Sequence, residues 1–229
     1  MIARLVGWRD LAPEVRHFSF EVPDTANFAF TPGQWVSVSH EINGKKITRA
    51  YSIASVPTGN QFDLCLNRVE DGAFSPYLFD LAEGNQLEFR GPYGVFTIRH
   101  PERDMVMIAT GTGVVPFRSM LSHYLASGGA SRVRLLLGVR YPETILYRDD
   151  FERWAARHGN FSFWPTLSRP REDWDGRKGH VQQHIEEALE GRRDVDVYVC
   201  GLKPMVDDVR ERLKTAGFDR KQIIFEKYN

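Results

Sequence analysis

A glycine-rich segment follows an apolar run in the second half of the sequence. The run is Met105–Thr110, and Gly111, Thr112 and Gly113 come directly after it. Glycines after a buried strand let the backbone approach a pyrophosphate, whose charge then meets the N-terminus of the following helix. Pro116 occupies the third glycine position of a GxGxxG pattern, which disfavours an ordinary Rossmann dehydrogenase. Taken alone, the segment also fits a plain strand-to-helix turn.

Only two cysteines, Cys65 and Cys200, could take part in metal or redox chemistry. A plant-type [2Fe–2S] cluster needs four thiolates, and a cysteine-rich zinc site fails for the same reason, so we predict no metal site. A disulfide framework is not expected either. A lone buried cysteine usually behaves as a small apolar side chain.

Charge and composition exclude several classes of protein. The 30 basic side chains match 30 acidic ones, so no global charge points to nucleic acid or to a membrane surface. The hydrophobic fraction of 42% is enough for packed cores and excludes a disordered chain. Apolar runs are too short to span a bilayer, and the first residues lack the apolar region of a signal peptide. We therefore expect a cytoplasmic protein, by default a monomer, with no nucleic-acid or membrane partner.

The N-terminal part, residues 1–98, has the pattern of short strands separated by turns. In one of them Phe62, Leu64 and Leu66 alternate with more polar neighbours, as a half-buried strand requires. Ser75 before Pro76 predicts the N-cap of a short helix. Many short strands without long helices favour a small antiparallel β-barrel. The predicted strands are Ile2–Trp8, Val15–Val22, Trp35–His40, Ile47–Ser55, Phe62–Val69 and Gln86–Arg90.

From residue 104 onward the pattern changes to strands that alternate with helices. Five such units imply a five-stranded parallel, doubly wound sheet with right-handed crossovers. The two predicted domains therefore cover residues 1–98 and 104–229, with a hinge at Arg99–Arg103. Sheets of this kind bind ligands at the carboxyl ends of their strands. The predicted strands are Met105–Thr110, Val133–Val139, Phe161–Leu167, Val195–Cys200 and Ile223–Tyr228.

Four motifs occur in the order found in the ferredoxin–NADP⁺ reductase superfamily. They are RAYS at 49–52, GPYGVF at 91–96, GTGVVP at 111–116 and CGLKPM at 200–205. Each motif alone is weak, but four in order along nearly the whole chain are specific. The sequence therefore resembles a bacterial ferredoxin/flavodoxin–NADP⁺ reductase. The resemblance implies an FAD-binding β-barrel domain followed by an NADP(H)-binding α/β domain.

The resemblance also implies which residues bind the flavin. Arg49 resembles the residue that neutralises the pyrophosphate, Tyr51 the ring that stacks on the isoalloxazine, and Ser52 the hydroxyl that reaches flavin N5. A turn at 71–75 resembles the diphosphate-binding turn of the family, which implies FAD rather than FMN. The implied flavin-binding residues are Arg49, Ala50, Tyr51, Ser52, Cys65, Leu66, Asn67, Arg68, Gly72, Ala73, Phe74 and Ser75.

The hydride-transfer site is implied in the same way. Cys200 resembles the sulfur that lines the nicotinamide pocket without acting as a nucleophile. Tyr228 resembles the ring that covers the second face of the flavin, and Glu226 a proton-relay or charge-tuning group. With Ser52 these are the implied catalytic residues. The implied dinucleotide-binding residues are Gly111, Thr112, Gly113, Pro116, Arg140, Ser168, Arg169, Arg177, Gly201 and Met205.

The choice of dinucleotide depends on groups that could meet a 2′-phosphate. Arg140, Ser168-Arg169 and Arg177 resemble the clamp of bacterial NADP-linked members, and no acidic residue stands at those strand ends. Each arginine alone also fits a solvated surface charge, and NADH-linked relatives can carry a similar turn. Their joint placement predicts NADPH.

The implied activity is hydride transfer from NADPH to FAD, followed by single-electron transfer to a ferredoxin or flavodoxin. Candidate docking cations for such an acidic partner are Lys45, Lys46, Arg49 and Lys227. An NADH-dependent reductase component of an oxygenase system and a free-flavin reductase are alternatives, because they share the fold and the motifs. A non-enzymatic electron-transfer or regulatory subunit is a third interpretation.

Overall fold

The computed structural model describes residues 1–228, which form two compact units. The first unit contains Met1–Ile98 and Val115–His123, and the second contains Arg99–Val114 and the chain from Tyr124 onward. Each unit has a hydrophobic core of its own, rich in phenylalanine in the first and in valine in the second. The domain boundaries 1–98 and 104–229 stay a prediction.

Residues 1–98 of the first unit form six strands and one short helix. The elements are β1 (Ile2–Ala12), β2 (Val15–Glu21), β3 (Trp35–Ile42), β4 (Lys45–Ser52), β5 (Gln61–Asn67), α1 (Phe74–Phe79) and β6 (Gln86–Tyr93). The strands form an antiparallel sheet in the order β4-β3-β6-β1-β2-β5. A bridge between Ile53 and Leu64 joins its two outer strands and closes it like a barrel.

The barrel core follows from the alternation seen in the sequence. Phe62, Leu64 and Leu66 of β5 are buried, and they pack with Phe18 and Phe20 of the neighbouring β2. Burial of such apolar side chains is the main stabilising contribution to a sheet of this size. The prediction of an antiparallel barrel is confirmed.

Helix α1 begins one residue earlier than its predicted cap. Ala73 is the N-cap residue, and it makes no side-chain capping bond. Ser75 lies inside the helix, and its Oγ accepts a hydrogen bond from the Val69 N–H at 2.8 Å. The predicted N-cap role of Ser75 is therefore wrong, because the hydroxyl stabilises the preceding turn rather than the first turn of the helix.

The remaining chain supplies the second unit and a helix divided between the two units. The strands are β7 (Met105–Thr110), β8 (Val133–Val139), β9 (Phe161–Leu167), β10 (Arg177–Lys178), β11 (Asp196–Leu202) and β12 (Ile223–Tyr228). The α-helices are α2 (Val115–Ala126), α3 (Arg148–Arg157), α4 (Ile185–Leu189) and α5 (Lys203–Thr215). Short 3₁₀ turns cover Gly111–Val114, Pro142–Thr144 and Val181–His184.

All six strands of the second unit are parallel, in the order β10-β9-β8-β7-β11-β12. The prediction of a doubly wound parallel sheet is confirmed, with one correction to the number of strands. The additional strand is the two-residue β10 at the sheet edge, which was missed because two charged residues carry no hydrophobic pattern.

Candidate functional site

Five parallel strands of the second unit end in a row at one edge of the sheet. β9, β8, β7, β11 and β12 are consecutive neighbours, and they end at Leu167, Val139, Thr110, Leu202 and Tyr228. The glycine-rich loop, the two arginine-bearing turns and the segment after Cys200 all lie at these ends. This edge therefore gathers most of the residues that were implied to bind a dinucleotide.

The glycines of the loop after β7 serve two different purposes. Gly111 has a φ of +53°, and a Cβ added there would meet nothing within 4 Å, so its backbone faces open space. Gly113 is buried, and an added Cβ would lie 2.3 Å from the Cys200 carbonyl oxygen. Gly113 thus lets β7 and β11 continue into loops that touch, while Gly111 leaves room for a ligand. Pro116 lies in the first turn of α2, in the part assigned to the first unit.

Thr110, at the end of β7, carries a polar atom without a partner among the described residues. Its Oγ1 is buried and makes no hydrogen bond within residues 1–228. A Cβ on Gly201 would lie 2.5 Å from this oxygen and 2.7 Å from the Met205 Cε, so Gly201 keeps the space around the hydroxyl open. A buried hydroxyl without a partner costs free energy, and a polar ligand group at this edge could satisfy it. Thr110 was not among the predicted site residues, because a threonine at a strand end is an ordinary strand residue.

Three of the four implied catalytic residues come together on β11 and β12. Cys200 pairs in register with Glu226, and Leu202 pairs with Tyr228. Burial raises the pKa of the Cys200 thiol well above its usual value, and the Glu226 carboxylate raises it further, against a hydrogen bond from the Tyr228 side chain. The thiol is therefore neutral at physiological pH and is not an activated nucleophile. The fourth implied residue, Ser52, belongs to the first unit.

Two of the three clamp arginines follow neighbouring strands. The Arg169 N–H donates a hydrogen bond to the Arg140 carbonyl oxygen at 2.9 Å, which joins the loops after β8 and β9. The Ser168 N–H donates to the Val139 carbonyl oxygen at 3.0 Å. The Arg140 and Arg169 side chains are exposed, and the Arg169 guanidinium lies 3.4 Å from the Tyr141 hydroxyl. These contacts hold two cations at the strand-end edge.

Arg177, the third clamp arginine, is engaged elsewhere. Its guanidinium lies 3.5 Å from the centre of the Trp164 ring and forms an ion pair with Glu187. This ion pair lowers the pKa of the Glu187 carboxyl. Arg134 covers the same Trp164 ring at 4.2 Å, so two guanidinium groups contact one indole. The structure therefore brings Arg140 and Arg169 together but assigns Arg177 to the packing of α4 against the sheet.

In the first unit, the RAYS segment ends where the barrel closes. Ile53, the next residue, bridges to Leu64 of β5, so Ser52 stands close to the β5 residues that were also implied to bind flavin. Arg49 is exposed, Tyr51 half-buried and Ser52 buried. Burial raises the pKa of Tyr51 to about 12, against the effect of the nearby Arg49. The phenol is therefore neutral, and its ring lies at the rim of the barrel core.

The implied diphosphate turn, residues 71–75, lies against strand β4, which carries the RAYS segment. The Gly72 N–H donates to the Val69 carbonyl oxygen at 2.9 Å, and the Val69 N–H donates to Ser75, so the turn is held at both ends. The Phe74 ring stacks on Tyr51 with centroids 6.3 Å apart. Ala73 is exposed at the turn. RAYS and this turn are therefore neighbours within the first unit.

The implied residues of β5 and the loop after it divide by burial. Cys65 and Leu66 are buried in the barrel, whereas Asn67, the last residue of β5, and Arg68, which follows it, are exposed. The Arg68 N–H donates to the Glu14 carbonyl oxygen at 2.7 Å, which holds this backbone in place. Only Asn67 and Arg68 of these four therefore present side chains to solvent.

Comparison with known proteins identifies the family. Residues 3–98 match the oxidoreductase FAD-binding domain, and residues 107–211 match the oxidoreductase NAD-binding domain. The chain is 43% identical to ferredoxin–NADP reductase B of Sorangium cellulosum over an alignment of 237 positions, which covers 99% of this chain and 97% of that protein. The chain belongs to the ferredoxin–NADP reductase family. It is therefore an FAD-dependent oxidoreductase with an NAD(P)-binding domain, and that prediction is confirmed.

Two further proteins similar to this chain differ in length. The toluate 1,2-dioxygenase electron transfer component of Pseudomonas putida is 31% identical over 96% of this chain, which spans 65% of that protein. The ferredoxin NADP⁺ reductase of Neisseria gonorrhoeae shares the fold, with a TM-score of 0.86 and 22% identity over 99% of this chain and 98% of that one. Within residues 1–228, no helix is long and apolar enough to cross a membrane.

Proposed function

We propose that this protein transfers hydride from NADPH to FAD and then passes single electrons to a ferredoxin or flavodoxin. The observation that carries the proposal is the strand-end edge of the second unit. There a buried hydroxyl without a partner (Thr110), an open glycine (Gly111) and a neutral thiol (Cys200) lie together. The 43% identity to a protein named ferredoxin–NADP reductase supports the same activity.

FAD supplies the chemistry that links a two-electron hydride donor to a one-electron acceptor. In the first unit, Arg49 is exposed, and its guanidinium donates a hydrogen bond to the neighbouring Thr48 carbonyl oxygen, so the side chain can rotate toward a pyrophosphate. The neutral Tyr51 offers a flat ring held by Phe74. Ser52 places a hydroxyl at the closure of the barrel.

In the second unit, the same residues suit a nicotinamide dinucleotide. The Thr110 hydroxyl can pair with a polar group such as a carboxamide, which removes the cost of leaving it buried and unpaired. Gly111 leaves room for a pyrophosphate beside its backbone. The neutral Cys200 shapes the pocket without reacting, and Glu226, paired with it in register, can hold a proton there.

The preference for NADPH rests on Arg140 and Arg169 alone. Both are exposed at the strand-end edge, and guanidinium groups bind a 2′-phosphate bidentately. Arg177 is left out of this clamp because Trp164 and Glu187 already hold it. An NADH-dependent reductase component of an oxygenase system is the second candidate. The similarity to a dioxygenase electron transfer component favours it.

An acidic redox protein is the partner that the proposed activity requires. Among the candidate docking cations, Lys46 forms an ion pair with Glu88 at 2.8 Å, and Lys227 forms one with Asp207. Their charges are thus partly neutralised locally. Lys45 is exposed and forms no ion pair among those found within residues 1–228, so it is the stronger candidate for steering such a partner, whereas the proposed pyrophosphate contact would neutralise Arg49.

Visible spectroscopy of the FAD-loaded protein tests the proposal. Under argon, NADPH and NADH are added in parallel, and bleaching of the flavin band is followed by stopped flow. We expect NADPH to bleach the flavin faster and at lower concentration. Faster bleaching by NADH contradicts the clamp and favours the oxygenase-reductase candidate. A protein that binds no FAD, or whose FAD neither dinucleotide reduces, contradicts the proposed activity altogether.

A further inference from the structure

Ala54 and Ser55, which lie just after the end of strand β4, are held by four hydrogen bonds. The Ala54 N–H donates to the Asp63 carbonyl oxygen at 2.8 Å, and the Asp63 N–H donates to the Ser55 Oγ at 2.9 Å. The Ala54 carbonyl oxygen accepts from the Arg118 guanidinium at 2.8 Å, and the Ser55 carbonyl oxygen accepts from the Ser119 hydroxyl at 2.5 Å. All five residues belong to the first unit.

The bond from Arg118 is the charged member of this set. A guanidinium that donates to a carbonyl oxygen makes a stronger bond than a neutral donor does. It acts on the peptide carbonyl of Ala54, which is fully buried together with Ile53, so the segment from Ser52 to Ser55 has little room to move. Ser52 lies two residues before this carbonyl and is itself buried.

Asp63 links the same segment to an electrostatic cluster. Its carboxylate lies 3.3 Å from the His17 Nε2, and it also accepts a hydrogen bond from the Ser19 side chain. Burial alone would raise the pKa of Asp63, but these hydrogen bonds and the charges of His17 and Arg118 lower it overall. The carboxylate is therefore ionised at neutral pH. The Asp63 backbone meanwhile holds the segment at two points, through the Ala54 N–H and the Ser55 Oγ.

We propose that Arg118 is a positioning residue of the flavin site, which fixes the Ser52 hydroxyl through the Ala54 carbonyl oxygen. This inference rests on the proposed role of Ser52 beside flavin N5. Helix α2 therefore contributes to the flavin site through a side chain that acts on Ser52 by way of the backbone. A displacement of about 1 Å in a positioned reacting group can slow a reaction roughly 100-fold, so a loss of this restraint has a measurable effect.

A double-mutant cycle on the FAD-loaded protein tests the inference. The variants are Arg118→Met, Ser52→Ala and the pair, with the visible absorption band of bound FAD and the rate of flavin reduction by NADPH as readouts. We expect Arg118→Met to slow reduction roughly 10- to 100-fold and to shift the FAD band toward that of Ser52→Ala. In the Ser52→Ala background it should add nothing, because its effect passes through Ser52.

Conservative and neutral variants separate positioning from general stability. Arg118→Lys keeps a charged donor and should restore most of the rate, whereas Arg9→Met, at an exposed arginine of β1, should leave both readouts unchanged. If Arg118→Met does not fold, Ser119→Ala takes its place in the cycle, since it removes the neighbouring restraint on Ser55.

The outcomes distinguish this inference from the proposed function. Equal slowing in the wild-type and Ser52→Ala backgrounds, or an unchanged rate and FAD band in Arg118→Met, overturns the positioning role. If wild-type FAD is not reduced by either dinucleotide, the proposed function fails. The cycle read from the FAD absorption band then still decides whether Arg118 acts on the flavin site through Ser52.

Discussion

The Thr110 side chain affects both the stability of the ligand-free protein and the binding of a ligand. Its buried Oγ1 has no partner within residues 1–228, and only glycine at position 201 leaves space around it. Such an atom lowers the stability of the ligand-free protein and strengthens the binding of a ligand that satisfies it. Cys200, the next strand's residue at this edge, shows the opposite case, a group made inert by burial.

Thr110→Val should therefore raise thermal stability and weaken dinucleotide binding together. The substitution keeps the shape of the side chain and removes the unpaired hydroxyl, which stabilises the ligand-free protein by about 1–3 kcal/mol. We expect a higher Tm without dinucleotide and a smaller rise in Tm on adding NADPH. Differential scanning calorimetry measures both. A variant that is less stable and binds NADPH normally would contradict the role assigned to Thr110, and Thr215→Val, at an exposed position of α5, is the matched control.

The cysteines provide a second test at this scale. Because Cys200 and Cys65 are buried, and because the pKa of Cys200 is raised, neither thiol should react with iodoacetamide in the folded protein at pH 8. Both should react after denaturation. Mass spectrometry of the two peptides measures the labelling. Rapid labelling of Cys200 in the native state would show a thiolate and would argue against a purely positioning role.

At the scale of the elements, the sequence predicts the strands well and the edges of the site less well. The strands were found because buried strands carry apolar runs or alternation, as in Met105–Thr110. Strand β10 was missed because it is short and charged. The contact between Arg177 and Trp164 could not be predicted from the sequence, because the two residues are distant along the chain and meet only through the pairing of β9 with β10. Thr110 was overlooked because burial without a partner is a property of the packed structure.

The clamp can be tested by comparing two arginines on adjacent elements. Arg169→Ala should raise the KM for NADPH at least 10-fold and change the KM for NADH little, because a lost charge-assisted contact to a phosphate costs about 1.5–3 kcal/mol. Arg177→Ala should leave the ratio of the two KM values unchanged and lower the Tm, since it removes the stacking on Trp164 and the ion pair with Glu187. Steady-state kinetics with both dinucleotides measure this. A change in the KM ratio caused by Arg177→Ala would show that Arg177 does contribute to the binding of the 2′-phosphate.

At the scale of the whole molecule, acidic and basic side chains are equal in number, and many of them form local ion pairs. At the amino ends of the strands of the second unit, Asp104 pairs with Arg132 and Arg192, and Glu190 pairs with Arg132 and Arg134. Because the formal net charge is zero, the protein as a whole does not attract a charged partner through net charge, and steering depends on how its cations are distributed. The same pairing makes stability depend on the ionisation of carboxylates.

Acid should therefore destabilise the protein in a defined window. Hydrogen bonds from Arg192 and Arg132 lower the pKa of Asp104 despite its partial burial, and those from Arg134 and Arg192 lower the pKa values of Glu190 and Asp194. A carboxyl group whose pKa is lower in the folded state binds fewer protons there than in the unfolded chain. Its contribution to the free energy of unfolding is therefore complete above its pKa in the unfolded chain, about 4, and is lost as the pH falls through its pKa in the folded protein. Asp196 opposes this trend, because burial raises its pKa and its contribution decreases as the pH rises.

The measurement is the Tm of the protein from pH 7 down to pH 3, at low salt. We expect a Tm that changes little between pH 7 and pH 5 and falls steeply below about pH 4, where the lowered carboxylates take up protons. Asp104→Asn should flatten this fall, because it removes a carboxylate that two arginines hold in the ionised form. Asp173→Asn, at an exposed carboxylate, should reproduce the wild-type curve. An Asp104→Asn curve parallel to that of wild type would mean that the Asp104 carboxylate does not contribute to the acid dependence, and that other titrating groups set it.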